Sequence, residues 1–205
     1  MFERIPEPEL MQDFQQCWNY HVMHRMEPEI VSMWLDIYHN TVNITQGTVV
    51  DLGCGTADQI VALLTLHPEL TAVCYDASKA MCLVARENIR AHQLEDRCTV
   101  IQDDLFAATG TYDVALSSRA LHHLSDTASF WKLITELSPT FLVCDLERPD
   151  SEDLIPSDMD ADIQNSLRAA YTVSEIREQV SGITCEVTRS AVGPVFYGVS
   201  VYRTA

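Results

Sequence analysis

Positive charge is scarce in this chain. Of 205 residues only two are lysines, Lys79 and Lys132, and 13 basic residues face 30 acidic ones, a formal charge of −17. A polyanionic backbone would meet a repulsive field, so DNA and RNA are excluded as expected partners, and the charge reads as a solvated surface. Long apolar runs are also missing. None reaches the ~18 residues that a membrane-spanning helix needs, and the charged, proline-bearing N-terminus does not read as a secretion signal. No membrane partner is expected, and the expected location is the cytoplasm. The seven cysteines form no C-x-x-C pair, and several stand inside apolar strands, as in Val73-Cys74 and Val143-Cys144. They read as reduced, buried small hydrophobes, Cys54 included. The histidines are scattered without ligand spacing, so no metal is predicted.

What is present begins at Val49, where Val-Val-Asp-Leu-Gly-Cys-Gly-Thr-Ala-Asp-Gln runs from an apolar strand end into a turn that opens a helix. Gly53 and Gly55 lack a Cβ, so the backbone there can take positive φ and a ligand can approach the main chain, beside the free N–H groups of the helix start. A dinucleotide fingerprint would place a third glycine at position 58. Asp58 stands there instead, and its charge would repel a pyrophosphate, which argues against NAD. Thr71 to Asp76 reads as a second strand ending in an acid, and Asp76 suits the two hydroxyls of a ribose. A third strand, Thr99 to Gln102, ends in Asp103-Asp104-Leu105. A fourth, Tyr112 to Ser117, runs into Ser118-Arg119-Ala120-Leu121-His122-His123-Leu124.

This ordered series, a D-x-G-x-G turn, an acid after the second strand, an acid after the third and a variable fourth-strand loop, resembles the class I S-adenosylmethionine-dependent methyltransferases over roughly Val49 to Pro149. Ser117 to Leu124 resembles the Asn-x-Leu-His-His-Leu stretch of small-molecule members, although Ser118 or Arg119 stands where a polar amide is common. Arg4 to Met11 and Asp145 to Asp150 look similar to a loosely characterised bacterial subgroup. The resemblance implies an α/β fold, a Rossmann-like doubly wound seven-stranded sheet with an N-terminal helical cap and a C-terminal antiparallel hairpin, and S-adenosylmethionine as cofactor. It also implies that Asp51, Gly53 and Gly55 underlie the methionine part of the cofactor, that Asp76 with Ala77 holds the ribose, and that Asp103 or Asp104 with Leu105 meets the adenine, with Ser117 nearby. Tyr20 and Trp18, on the N-terminal helix, are candidates to close over the sulfonium by a cation–π contact.

The chain reads as one domain, with a helical cap over 1–46, a cofactor-binding core over 47–149, and substrate-side helices and a hairpin over 150–205. Helices are expected over Glu9–His24, Pro28–His39, Ala57–Leu66, Ser78–His92, Ser125–Leu137, Ile163–Ala170 and Val173–Val180. In the second, Ile30, Met33, Trp34 and Ile37 recur at helical spacing on a segment suited to capping the cleft. Ser78 reads as an N-cap, and Thr172 with Glu175 as a capping box. A fifth strand is expected over Phe141–Leu146, and a hairpin over Ile183–Arg189 and Val195–Tyr202 around Gly193-Pro194. No internal repeat is visible.

Methyl transfer from a sulfonium chiefly requires alignment of a nucleophile, and a base where the acceptor must lose a proton. The catalytic candidates are His122, His123 and Asp145, each beside the carboxyl end of a strand; packing is the plainer role for the histidines. Arg119 is a candidate carboxylate anchor, and Asn165, Arg168 and Tyr171 are candidates to face the substrate. The expected activity is methyl transfer to a small molecule. Aminocarboxypropyl transfer or cyclisation with release of methylthioadenosine, and cofactor binding without turnover, are the alternatives.

Overall fold

Valine, leucine and isoleucine crowd the short segments between the amphipathic stretches, and the fold buries them as parallel strands flanked by helices. The computed structural model describes residues 2–7, 11–26, 28–191 and 197–204. Its strands are β1 (Gln46–Leu52), β2 (Glu69–Asp76), β3 (Cys98–Gln102), β4 (Val114–Ser118), β5 (Phe141–Leu146), β6 (Glu186–Ala191) and β7 (Tyr197–Arg203), joined in one sheet of order β3-β2-β1-β4-β5-β7-β6. β1 to β5 pair in parallel, and β7 runs antiparallel to both β5 and β6. The helices are α1 (Phe14–Met26), α2 (Pro28–Thr41), α3 (Asp58–Leu66), α4 (Lys79–Ala91), α5 (Thr127–Leu137), α6 (Ala161–Ala169) and α7 (Val173–Gln179).

The period-2 alternation of the central strands divides the core. Val49 faces one layer with Trp34, Tyr38, Ile60 and Ile89 from α2, α3 and α4. Its neighbour Val50 faces the other layer, with Phe130, Trp131, Ile134 and Ile176 from α5 and α7. Trp131, Tyr38 and Phe130 are fully buried, each removing on the order of 2–3 kcal/mol of apolar surface from water.

Two expected caps are formed. Met81 N donates to the Ser78 hydroxyl at 3.1 Å, and Thr172 with Glu175 closes a reciprocal capping box. Helix α1 starts later than the sequence suggests, because the Asp13 carboxylate accepts from Gln16 N at 2.9 Å and so fixes the first turn. The expected start at Glu9 and the hairpin turn at Gly193-Pro194 lie outside the described residues. α5 likewise starts after Asp126, whose carboxylate accepts from Ser129 N.

Connections from β1 run outward through β2 to β3, and those from β4 run the opposite way to β5. The crevice at the carboxyl ends of β1 and β4 is therefore a topological switch point, where open α/β sheets bind ligands.

Candidate functional site

The turn after β1 is shaped by backbone conformation and by one carboxylate. Gly53 has φ +78°, and a Cβ there would stand 2.5 Å from the Cβ of Ala120; Gly53 N and Cys54 N both donate to the Tyr75 carbonyl, at 2.8 and 3.0 Å. Gly55, at φ +53°, borders open space. Asp76 joins this turn to the next loop: Oδ2 accepts from Gly55 N and Oδ1 from Ser78 N, each at 2.8 Å. Each carboxylate oxygen keeps a further lone pair, so the clamp does not exhaust its capacity for ribose hydroxyls.

Asp51 lies buried beneath the turn. Burial first, and the neighbouring Asp76 charge second, push its carboxyl up to about 7; burial raises Asp76 as well, against the two backbone N–H bonds. Two crowded acids suit a cationic ligand and oppose an anionic one. Cys54 is no reactive thiol: a hydrogen bond from Cys74 lowers its pKa, but burial and the two acids outweigh it and hold the thiol at about 11.

Asp58, the residue that argued against a dinucleotide, fastens the N-terminal helix. Its Oδ1 accepts from Asn88 Nδ2 at 3.0 Å and meets His21 Nδ1 at 2.8 Å, while Oδ2 accepts from the Thr56 hydroxyl at 2.5 Å. His21, Asp58 and Asn88 are all buried. At the other end of the segment the Ser78 hydroxyl donates to the Met11 carbonyl, and Cys17 packs with Ala80 and Val84. Helix α1 thus spans from α4 to the start of α3, across the β1–β2 side of the crevice. Trp18 stacks on Phe14 with centroids 6.2 Å apart and lies against His21, and the half-buried Tyr20 lies on the same helix.

The remaining cofactor candidates divide. Ala77 is exposed beside Asp76. Asp104 is exposed and caps a 3-10 turn at Leu105–Ala107, accepting from Phe106 N at 2.9 Å, while Asp103 accepts from Asp104 N at 2.8 Å. Both acids are thereby aimed beside the end of β3, and Leu105 is buried. Ser117 is committed elsewhere: it is fully buried, and its hydroxyl donates to the Leu52 carbonyl at 2.8 Å, tying β4 to β1.

On the β4–β5 side a shallow cleft, open to solvent, lies under α2. Ile30, Met33, Trp34 and Ile37 form its apolar wall, and Arg119, Cys144, Asp145 and Leu146 come from the strand ends. The helical spacing of the apolar four is the signal that marked α2 as a cap. Arg119 sits at φ +55°, an unusual conformation for a side-chain-bearing residue, and its N–H donates to the Cys144 carbonyl at 2.8 Å, which places it at the cleft.

Asp145 is braced from behind. Its Oδ1 meets His122 Nδ1 at 2.6 Å and accepts from Leu146 N at 2.7 Å, and its Oδ2 accepts from His122 N at 2.9 Å. Burial alone would raise this carboxyl, but the His122 contacts and backbone N–H groups outweigh it and hold the pKa below the usual range. Neither histidine lines the cleft. His122 and His123 occupy a 3-10 turn, Leu121–His123, beneath the N-terminal strap of residues 2–7, where Arg4 donates to the His122 carbonyl at 2.7 Å and to the Ala169 carbonyl at 2.5 Å. Burial, with His122 alongside, pushes His123 down to about 4.

The three candidates near α6 do not join the cleft lining. Asn165 is exposed, Arg168 pairs with Glu152 at 3.0 Å and bonds Gln164, and the Tyr171 hydroxyl donates to the Leu124 carbonyl while Arg4 covers its ring at 4.2 Å. Sequence reading assigned no site role to Gln59, Cys144 or Leu146, which line the cleft, nor to the His21–Asp58 contact or Glu7. Glu7 does fall in the Arg4–Met11 motif.

Comparison with known proteins agrees with this geometry. Residues 50–138 match the family described as Methyltransferase domain. A release factor glutamine methyltransferase of Rhodopirellula baltica is 24% identical over 140 residues; the match covers 67% of this chain, and the chain spans 47% of that protein's length. A SAM-dependent methyltransferase from Aquifex aeolicus superposes with a TM-score of 0.70 at 16% identity, covering 93% of this chain and 98% of that one. The plantazolicin methyltransferase BpumL in complex with SAH does so at 0.70 and 15%, covering 94% and 89%. At such identities the structural likeness speaks for the fold. The matched domain, which contains the acid-bearing ends of β2 and β3, and the sheet order point the same way: residues 50–138 are similar to a methyltransferase domain, and the fold is that of the SAM-dependent methyltransferases on which the chain superposes.

Proposed function

We propose that this protein transfers a methyl group from S-adenosylmethionine to a small molecule with an apolar body, seated in the cleft between α2 and the ends of β4 and β5. The observation that carries the reading is the division of the crevice into an anionic half and an apolar half. Asp51 and Asp76, at the Gly53–Gly55 turn, offer the cationic cofactor negative charge and hydroxyl acceptors. The open space at Gly55 leaves room for close approach to the main chain. Asp103, Asp104 and the Leu105 backbone serve the adenine end, and Tyr20 and Trp18 close from α1. When bound, the cofactor supplies an electrophile already activated by its sulfonium charge.

Residues of the chain do the rest. Ile30, Met33, Trp34 and Ile37 exclude water from the acceptor. Asp145, held ionised, accepts a hydrogen bond from the acceptor's N–H or O–H, favours the positive charge that develops on an attacking nitrogen or oxygen, and takes up the proton that the methylated acceptor releases, passing it to the solvent at the open cleft. His122 fixes the Asp145 carboxylate and acts as a positioning residue. Arg119 orients a polar end of the acceptor. Arg168 and Tyr171 hold the strap, through the Ile5 N–H and the Arg4 guanidinium, and Asn165 lies exposed on α6.

We also place the protein in the cytoplasm. Among the described residues the cysteines are free, and no described helix is long and apolar enough to cross a membrane. The activity is tested by incubating purified protein with S-adenosylmethionine alone and with fractionated small-molecule extract, following nucleoside products by mass spectrometry. S-adenosylhomocysteine that forms only with extract supports methyl transfer. Methylthioadenosine formed without extract replaces the reading with chemistry on the methionine side chain.

A further inference from the structure

Beneath the N-terminal strap, buried polar atoms converge without partners. His122 Nε2 and His123 Nδ1 are both buried and make no hydrogen bond, and each stands 3.9 Å from the same oxygen of Glu7, Oε2. That separation is too long for a hydrogen bond, so two buried ring nitrogens lack the partners that buried polar atoms normally have. The three ligand-capable atoms lie within 4.8 Å of one another. We propose that Glu7, His122 and His123 bind one divalent transition-metal ion of the Zn2+ type through these three atoms.

Two imidazole nitrogens and a carboxylate oxygen are a donor set that suits zinc, whereas magnesium and calcium favour all-oxygen sites. Ligands of a tetrahedral zinc site stand about 3.3 Å apart, so each histidine must approach Glu7 Oε2 by about half an ångström, and no pair of the three atoms, all within 4.8 Å of one another, must close by more than about 1.5 Å. The supporting contacts are already made. Asp145 Oδ1 takes His122 Nδ1 at 2.6 Å and leaves Nε2 as the free nitrogen, the carboxylate–histidine pairing that orients metal ligands. The Ser166 hydroxyl donates to Glu7 Oε2 at 2.9 Å. Of the charged groups around the cluster, Asp145, Glu7 and Asp162 are acidic. Arg4 is the cation, and its guanidinium is directed to the carbonyls of His122 and Ala169.

Glu7 is remote in sequence from the histidines, so spacing along the chain could not show the cluster; the strap brings it there. A bound ion would tie that strap to the loop after β4 and, through the His122 ring, hold Asp145 in the acceptor cleft. Three protein ligands leave a fourth position for water or another exogenous ligand. The inference stands on the cluster itself and does not depend on the acceptor reading.

The test uses the full chain, stripped with a chelator and titrated with Zn2+ by calorimetry and with Co2+ by visible absorption. The expected result is one equivalent per chain and Co2+ bands of a nitrogen–oxygen site, with Glu7→Gln and His123→Gln each weakening Zn2+ at least about tenfold at unchanged circular dichroism. If one variant fails to fold, the other decides. His67→Gln, which removes the separate His39–His67 pair with its Nε2 atoms 2.9 Å apart, should leave affinity and stoichiometry unchanged. Absence of stoichiometric binding, binding that survives both cluster variants, thiolate charge-transfer bands, or loss on His67→Gln would each overturn the assignment.

Discussion

Replacing Asp51 with asparagine should stabilise the cofactor-free protein, and do so more as the pH rises. Asp51 is buried, with its carboxyl pushed from 3.8 to about 7, first by burial and then by Asp76. The folded state therefore holds this proton more tightly than the unfolded chain does. The resulting stabilisation is complete below the unfolded value near 4 and is lost as pH climbs through about 7; above that, the folded protein carries a buried anion. At about 1.4 kcal/mol per pH unit, the whole span is worth about 4 kcal/mol, of which up to about 3 falls between pH 5 and pH 8. Asparagine has nearly the same shape and cannot ionise. Urea unfolding of both proteins at pH 5 and pH 8, extrapolated to water, should show the advantage of Asp51→Asn growing by up to about 3 kcal/mol. Saturating S-adenosylmethionine should reverse the order at pH 8, because the cation offsets the wild-type charge. An equal stability difference at both pH values would show that Asp51 does not hold its proton in the folded protein.

Other substitutions probe neighbouring parts of the site. Asp76→Ala strands the Gly55 and Ser78 amides as well as the ribose hydroxyls, and calorimetry should show cofactor affinity reduced by about 1–3 kcal/mol. Gly53→Ala combines a positive φ with a Cβ 2.5 Å from Ala120, and it should lower stability by at least about 1–3 kcal/mol in denaturant titration. His21→Ala removes the α1 contact to Asp58, which keeps Thr56 and Asn88. Hydrogen exchange should then quicken in α1 while the central strands stay protected, and cofactor binding should weaken by roughly 1–3 kcal/mol; unchanged α1 exchange would remove this helix's dependence on Asp58.

The parallel strands were legible in the sequence because each is a short apolar run ending in a polar residue, and the Gly53–Gly55 turn because its conformation needs glycine. The acids at 51, 76, 103 and 104 were legible because they terminate strands in order. The acceptor cleft was half visible. The spacing of Ile30, Met33, Trp34 and Ile37 marks a buried helical face, but only packing shows that it faces Arg119 and Asp145 across a cleft. Ser117 reads as a cofactor contact by position, yet β4 lies close enough to β1 for its hydroxyl to reach the Leu52 carbonyl. The strand-end position of His122 and His123 could not reveal which way their rings turn, since Asp145 and the strap decide that. Asp58 was read by its charge alone, and its buried partners His21 and Asn88 come from helices remote in sequence.

The most direct test of methyl transfer is to supply S-adenosylmethionine labelled in its methyl group, together with fractionated small-molecule extract, and to follow the label by mass spectrometry. S-adenosylhomocysteine should form in proportion to a labelled small molecule, with both lost in Asp76→Ala at subsaturating cofactor. Label retained in methylthioadenosine, or cofactor bound without any product across all fractions, would contradict methyl transfer.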